Sequence, residues 1–138
     1  MKLYRAMKVA PDGLPKTGLA SRLLGVRTGD KAPNNDVKAV DLADIVAPGT
    51  GGMSVAPDDP YYLHPAIRPP EFGGTGVGAV WVIDETDLPS ELCFRQNMPT
   101  HGMIEPTAEV TLAEYQRALE STRTKWLRVL PQAIGDQP

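Results

Sequence analysis

A glycine-rich segment, residues 49–54 (GTGGMS), concentrates the features of an anion-binding loop. Its glycines allow positive φ angles and let the backbone approach a ligand closely, and successive amides there can form an anion-binding nest. The segment lacks the lysine and spacing of a P-loop and does not match the dinucleotide fingerprint GxGxxG. The alternative is an ordinary glycine-rich turn before a strand.

Arg5 stands in a short apolar stretch near the N-terminus. An arginine in such a strand must either reach solvent, as it would on an edge strand, or meet an anion. Its planar guanidinium suits a phosphate or a carboxylate. The residues alone leave both interpretations open.

His101 and Glu105 begin and end the sequence HGMIE. Four residues apart on a strand, their side chains point to the same face, where they could bind a substrate hydroxyl or share a proton. Together with Ser54 they have the residue types of a hydrolase triad, but the G-x-S-x-G elbow is absent. Because the chain has one cysteine and only two histidines, we expect no metal site.

Four strands are expected to position these side chains. Residues 2–10 alternate imperfectly, and residues 79–83 (AVWVI) are apolar throughout, which suits a strand buried on both faces. We expect two further short strands at residues 93–97 and 101–105, because turn residues and prolines lie at their ends.

Two helices are predicted. The first covers residues 18–26 (GLASRLLGV), where leucines recur at helical spacing and Gly25 can end the helix. The second begins with a capping box, Thr111 with Glu114. Its apolar stripe continues to Val129, and Pro131 ends it.

These elements predict a small α+β domain with a mixed or antiparallel sheet and long loops. Residues 1–130 form one domain, followed by a tail at 131–138. Glycine and proline make up 27 of 138 residues, and 13 of them fall within residues 47–78. A segment of that length and composition inside a compact domain is typically a functional loop, and its apolar residues favour an ordered one.

The net charge of −3 argues against general nucleic-acid binding, which relies on an excess of lysine and arginine. The charge is uneven, however. Residues 1–27 carry +5, residues 28–92 carry −8 and the remainder balances. The basic N-terminal end could therefore bind an anionic ligand.

The sequence has no apolar run that would suit a signal peptide or a membrane span, and Cys93 is its single cysteine. We therefore expect a cytoplasmic protein that makes no membrane contact.

Four short motifs, which follow one another between residue 3 and about residue 130, occur in the same order as in a known family. They are LYR at residues 3–5, VAPGTGGMSV at 46–55, the strand at 80–83 with a following LP, and THGMIEP at 100–106. In this order the chain resembles the type VI secretion toxins with an ADP-ribosyltransferase-like fold, and a related group of bacterial hypothetical proteins.

The resemblance implies a small split sheet that binds nicotinamide adenine dinucleotide (NAD) in a cleft. It implies transfer of ADP-ribose to a target with release of nicotinamide. Arg5 would contact a phosphate or ribose of NAD, and Ser54 would order the active site. Gly51 and Gly52 would bring the backbone against the dinucleotide.

The sequence departs from the transferase pattern at the catalytic acid. His101 and Gly102 occupy the usual place of the acid, with Gln96 upstream and Glu105 at the far end of the strand. Either Glu105 acts from an unusual position, or His101 and Gln96 form a site without a carboxylate. Tyr61 or Tyr62 could stack on the nicotinamide ring, although packing is the alternative.

Three functions follow from these features. The first is an NAD-dependent ADP-ribosyltransferase toxin that acts in the cytoplasm of a target cell, reaches it without a signal peptide, and has a macromolecular target and a cognate immunity protein. The second is a non-catalytic ligand- or protein-binding module on the same fold, suggested by the displaced carboxylate. The third is an RNA-processing phosphotransferase, which the acidic middle of the chain disfavours.

Overall fold

One α-helix and eight strands carry the fold of residues 1–28 and 36–131, the part of the chain that this computed structural model describes. In chain order they are β1 (Lys2–Met7), β2 (Ile45–Val46), β3 (Met53–Pro57), β4 (Ala79–Asp84), β5 (Leu92–Met98), β6 (His101–Pro106), β7 (Val110–Thr111), α1 (Leu112–Glu120) and β8 (Leu127–Val129). Short 3-10 helices lie at Pro60–Tyr62, Pro70–Phe72, Glu85–Asp87 and Arg123–Lys125.

Six of the strands form one sheet in the order β5-β6-β3-β1-β4-β8. Every neighbouring pair in it is antiparallel, and β2 pairs with β7 in a separate two-stranded ribbon. The predicted α+β class with a mixed or antiparallel sheet is confirmed, and the sheet is antiparallel.

The sheet is buried on both faces because its strands alternate between two apolar clusters. The larger cluster packs α1 against one face, and the smaller lies under the loops that follow β3. The largest buried side chains of the first cluster are Trp81, Trp126, Tyr115, Leu3 and Met7. The second cluster consists of Ala6, Ala56, Leu63, Phe72 and Val80.

The sheet parts between β1 and β3. β1 pairs with β4 along its whole length, but with β3 at only two positions, Leu3 with Pro57 and Tyr4 with Ala56. Beyond Tyr4, β3 pairs with β6 on its other side. Arg5 follows Tyr4 on β1, and its side chain lies in the resulting gap between β1 and β3.

All four predicted strands are present, at Lys2–Met7, Ala79–Asp84, Leu92–Met98 and His101–Pro106. The glycine-rich segment also leads into a strand, Met53–Pro57. β-branched and apolar residues favour extended backbone, and the predicted burial of both faces of β4 holds.

The helix predicted at residues 18–26 is wrong, since this segment forms turns and bends, with an isolated bridge between Leu24 and Thr17. Its carbonyl groups are taken by distant side chains. Arg5 donates to the carbonyl of Leu23, and Gln116 donates to that of Leu24. These tertiary hydrogen bonds replace the helical ones, and leucine spacing carries no information about them.

The last helix begins as predicted but ends earlier. Both hydrogen bonds of the capping box are present, and the helix stops at Glu120 rather than near Val129. The Thr122 hydroxyl donates to the carbonyl of Leu119 at 2.6 Å and accepts from the Trp126 indole at 2.9 Å. These bonds turn the chain, and β8 then pairs with β4.

The tail predicted at residues 131–138 lies outside the described residues except for Pro131. Over residues 1–28 and 36–131, no helix has the length and apolar character that crossing a bilayer requires.

Asp84 supplies an acid-sensitive contribution to stability. Its carboxylate accepts from the amide and hydroxyl of Thr86 at 3.0 and 2.8 Å, which lowers its pKa from 3.8 to about 2. Because the folded-state pKa is depressed, this stabilisation is present above about pH 4 and is lost as the pH falls toward the folded value. The thermal midpoint should therefore fall less between about pH 5 and pH 2 in Asp84→Asn than in the wild type. Asp87→Asn, an exposed position in the same turn, is the control, and identical acid profiles for wild type and Asp84→Asn would refute this assignment.

Candidate functional site

A cleft of about 260 Å³ opens where the sheet parts. Its floor comes from β1, β3 and the start of β6, and its walls from residues 21–27 and 63–67. Arg5, Ser54 and His101 all line it. The structure thus brings together three of the four residues that the sequence proposed as catalytic.

The guanidinium of Arg5 is buried and binds backbone carbonyls. Nη1 donates to the carbonyl of Ser54 at 2.7 Å, Nε and Nη2 donate to that of Leu23 at 3.2 and 3.0 Å, and Nη2 also donates to that of Gly25 at 3.2 Å. The alternative of an arginine exposed on an edge strand is wrong. Arg5 lies on a central strand and is only 7% exposed, and four of its five N–H groups are engaged by the protein itself.

Arg5 therefore links β3 to the cleft wall across the gap in the sheet. Burial lowers its pKa to about 10, and the nearby Asp36 carboxylate opposes that shift. At neutral pH the side chain remains charged, so it places a positive charge in the cleft wall.

Ser54 faces the cleft because side chains alternate along β3. Its neighbours Met53 and Val55 point into the larger apolar cluster, whereas Ser54 is half-buried. Arg5 fixes its carbonyl oxygen. The hydroxyl is thereby presented to the cleft from a rigid strand.

His101 reaches the cleft from the first position of β6. Its Nδ1 lies 2.7 Å from Oδ1 of Asn97. Since an amide oxygen only accepts, Nδ1 carries the hydrogen and Nε2 is left as an acceptor in the neutral ring. Burial lowers the pKa of His101 against an opposing effect of Asp36, so the neutral form prevails at neutral pH.

Glu105 lies outside this cleft. Its Oε2 accepts from Nε of Arg95 at 3.0 Å and from the amide of Gly49 at 3.1 Å, and its side chain is 6% exposed. His101 and Glu105 thus have separate partners and do not share a proton. In this structure Glu105 ties the glycine-rich loop to the edge of the sheet.

Replacing Glu105 with glutamine should lower the free energy of unfolding by about 1–3 kcal/mol, because the Arg95 charge and the Gly49 amide lose a buried ionic acceptor. Urea unfolding measures this effect. Glu109→Gln, on the exposed turn after β6, is the matched control. Equal stability of both variants would show that the ion pair contributes nothing.

Gly51 and Gly52 pack against the protein's own backbone and do not line the cleft. A Cβ on Gly51, whose φ is +133°, would lie 2.2 Å from the carbonyl oxygen of Asp36. A Cβ on Gly52 would lie 2.6 Å from that of Ile104. The close approach at these two glycines is to neighbouring segments of the chain, which it positions.

Tyr61 and Gln96 also lie outside the cleft. The exposed Tyr61 ring packs near Phe72, with centroids 5.5 Å apart, and under the guanidinium of Arg68. The Gln96 side chain donates to the carbonyls of the turn between β5 and β6. Both residues shape loops beside the cleft.

Four charged or imidazole side chains of the cleft did not emerge from the motifs of the sequence. They are Arg22, Arg27, Asp36 and His64. Arg22 adopts a positive φ of 66°, which is uncommon for a residue other than glycine and is often found at functional sites. The basic excess of residues 1–27 was the available signal for the two arginines.

Two other surface depressions are larger, at about 350 and 430 Å³. One contains a single arginine beside two glutamates, and the other a single lysine. Within residues 1–28 and 36–131, no three His, Cys, Asp or Glu side chains gather to hold a metal ion. The cleft with three arginines is therefore the candidate site.

Comparison with known proteins identifies the family of the chain. The model of the family described as Tse2 ADP-ribosyltransferase toxin matches residues 1–126, which include every element that lines the cleft. Neither the curated proteins nor the solved structures gave a match. The chain belongs to the Tse2 ADP-ribosyltransferase toxin family.

Proposed function

We propose that this protein binds NAD in the cleft at the parting of the sheet and transfers its ADP-ribose to a macromolecule of the target cell. The observation that carries the proposal is the convergence of Arg5, Arg22 and Arg27 on a cleft that also presents Ser54 and His101. The family match supports the reaction class.

The charge of the cleft suits a pyrophosphate. Three arginines line it, against one carboxylate, that of Asp36, among its described lining residues. Guanidinium groups bind phosphate oxygens in pairs, and their attraction is strongest where water is partly excluded. An anionic dinucleotide therefore gains more from this cleft than from either of the other depressions.

The three arginines have different roles in the proposed site. Arg5 donates most of its N–H groups to backbone carbonyls, so it fixes the shape of the cleft wall and contributes a positive charge. Arg22 is half-buried and gives one donor to the carbonyl of Ala66 at 3.3 Å. The side chain of Arg27 is 45% exposed and forms an ion pair with Asp36 at 3.6 Å. Both therefore keep further N–H donors for phosphate. We assign the phosphate contacts mainly to these two residues.

Ser54 and His101 are placed to hold the nicotinamide ribose. The Ser54 hydroxyl can donate or accept, and Nε2 of neutral His101 can accept from a ribose hydroxyl. The cleft volume of about 260 Å³ is slightly below the ~300–1,000 Å³ of small-molecule sites, which fits one half of the dinucleotide. In this proposal Gly51, Gly52, Tyr61, Gln96 and Glu105 support the walls of the cleft.

Replacing Ser54 with alanine should lower kcat/KM for nicotinamide release about 10- to 100-fold, because one polar contact to the ribose is lost. Thermal stability should change little, since Arg5 binds the carbonyl and not the hydroxyl of Ser54. Initial rates and a thermal melt measure both quantities. Ser90→Ala, outside the cleft, is the control, and a Ser54→Ala enzyme as active as this control would remove Ser54 from the site.

Transfer itself is tested with NAD labelled in its adenylate phosphate. Purified protein, incubated with this NAD and a bacterial extract, should label a macromolecule and release nicotinamide in equal amounts. No label and no nicotinamide in any extract would contradict the proposal.

A cytoplasmic target with a cognate immunity protein completes the proposal. Induced expression in a bacterial cytoplasm should arrest growth, and export of the same chain to the periplasm should not. Co-expression of an immunity protein should restore growth. Equal toxicity in both compartments would place the target elsewhere.

The second candidate is a binding module without turnover, and the burial of Glu105 away from the cleft favours it. It predicts saturable NAD binding with no nicotinamide release. Measured turnover would eliminate it.

A further inference from the structure

Asp36 places a carboxylate in the cleft that no motif of the sequence indicated. Among the described residues that line the cleft, it is the single acidic side chain. Glu105, the carboxylate that the sequence offered for catalysis, is engaged by Arg95 and Gly49 elsewhere.

The Asp36 side chain is held in one orientation. Its Oδ2 accepts from the amide of Arg27 at 2.8 Å, while Oδ1 forms an ion pair with Nη2 of Arg27 at 3.6 Å, a distance too long for a hydrogen bond. The carbonyl of Asp36 is seated against Gly51, where a side chain could not fit. Among the described residues, Oδ2 is thus anchored by a hydrogen bond, while Oδ1 has an ion-pair partner and accepts no hydrogen bond.

This carboxylate acts electrostatically on the other cleft residues. It favours the charged forms of both Arg5 and His101, against the desolvation that lowers the pKa of each. Its side chain is 6% exposed, so bulk water screens it little. The same carboxylate would stabilise a positive charge that develops on a ligand in the cleft.

We propose that the Asp36 carboxylate is the catalytic group that stabilises the positive charge on the ribose as its bond to nicotinamide breaks. This inference rests on the proposed function. The C–N bond between the anomeric carbon and nicotinamide breaks, and its electron pair leaves with nicotinamide as a neutral base. The anomeric carbon and ring oxygen then share a positive charge opposite Asp36.

The reaction is completed by a nucleophile of the target or by water. Its oxygen or nitrogen forms the new bond to the anomeric carbon and releases its proton to solvent. Asp36 remains ionised and forms no covalent bond. A fixed ionic group aimed at developing charge in a water-poor site typically contributes about 10²–10³-fold to the rate.

The test compares Asp36→Asn with wild type in nicotinamide release from NAD. Asparagine keeps the size of the side chain and an acceptor for the Arg27 amide, but removes the charge. We expect kcat to fall about 100-fold or more, with KM for NAD changed less than about threefold. Asp41→Asn, an exposed carboxylate outside the cleft, is the matched control.

A second measurement separates loss of charge from loss of fold. Asp36→Ala leaves room for a small carboxylate, and added formate should restore part of kcat in this variant but not in Ser54→Ala. Thermal melts of all variants accompany the rates, and the assays are run below the lowest midpoint.

The outcomes distinguish the two proposals. If wild type neither binds NAD nor releases nicotinamide, the proposed function fails and the role of Asp36 fails with it. If wild type turns over NAD and Asp36→Asn keeps its kcat within about threefold, only the role of Asp36 is overturned. A selective fall in kcat together with formate rescue supports it.

Discussion

Replacing Arg5 with methionine should destabilise the protein by about 2–4 kcal/mol and reduce nicotinamide release at least ~100-fold. The substitution removes four hydrogen bonds and leaves three buried or half-buried carbonyls, those of Leu23, Gly25 and Ser54, without their donor. Part of that cost is offset because the variant no longer buries the positive charge of the guanidinium. For a chain of this size the thermal midpoint should fall by roughly 6–15 °C.

Thermal melts and urea unfolding measure the stability change, and Arg128→Met on the exposed edge strand is the matched control. Arg5→Lys should give an intermediate loss, since one ammonium group cannot reach all three carbonyls in the geometry of a planar guanidinium. An Arg5→Met protein with wild-type stability would show that Arg5 does not hold the cleft wall to β3.

Removing Arg22 and Arg27, the two arginines of the cleft that are less buried than Arg5, should raise KM for NAD about 10-fold for each and about 100-fold together. Arg22→Ala and Arg27→Ala each delete a cation that the proposed pyrophosphate site requires. kcat should change less than KM, because these contacts are made equally in the ground state and the transition state. The wild-type KM should also rise with salt, since the cleft is open to solvent.

Lys16→Ala tests whether this effect is local. Lys16 belongs to the same basic N-terminal region, but it is exposed and lies outside the cleft. It should leave KM within about twofold of the wild type at moderate salt. If Lys16→Ala raises KM as much as Arg22→Ala does, the arginines act through general charge and the cleft is not the phosphate site.

The strands were predictable from sequence because their pattern is local. The apolar run of β4 predicts burial on both faces, and the alternation that places Ser54 opposite Met53 follows from the pleat of any strand. The capping box predicted the start of α1 for the same reason. In each case the neighbours in sequence are also the neighbours that determine the conformation.

The errors occurred where distant groups determine the conformation. Residues 18–26 have helical leucine spacing, but Arg5 on β1 and Gln116 on α1 donate hydrogen bonds to their carbonyls. The end of the predicted last helix forms β8 instead, because the edge of β4 offers backbone hydrogen-bond partners. Such long-range hydrogen bonds leave no periodic signal in a sequence.

The site was predictable in part. Arg5, Ser54 and His101 were selected for their chemistry and share one cleft. The motif THGMIEP drew attention to Glu105, whose carboxylate is committed to Arg95. Asp36 was missed because its segment has no regular pattern, and Gly51, which seats it, was interpreted as a ligand contact.

A crystal structure of the protein with a non-cleavable NAD analogue tests the central claim most directly. The account predicts the nicotinamide ribose between Ser54 and His101, phosphate oxygens at Arg22 and Arg27, and the anomeric carbon facing Asp36. An analogue seated in the depression along α1, or in the one beside the β2–β7 ribbon, would contradict it.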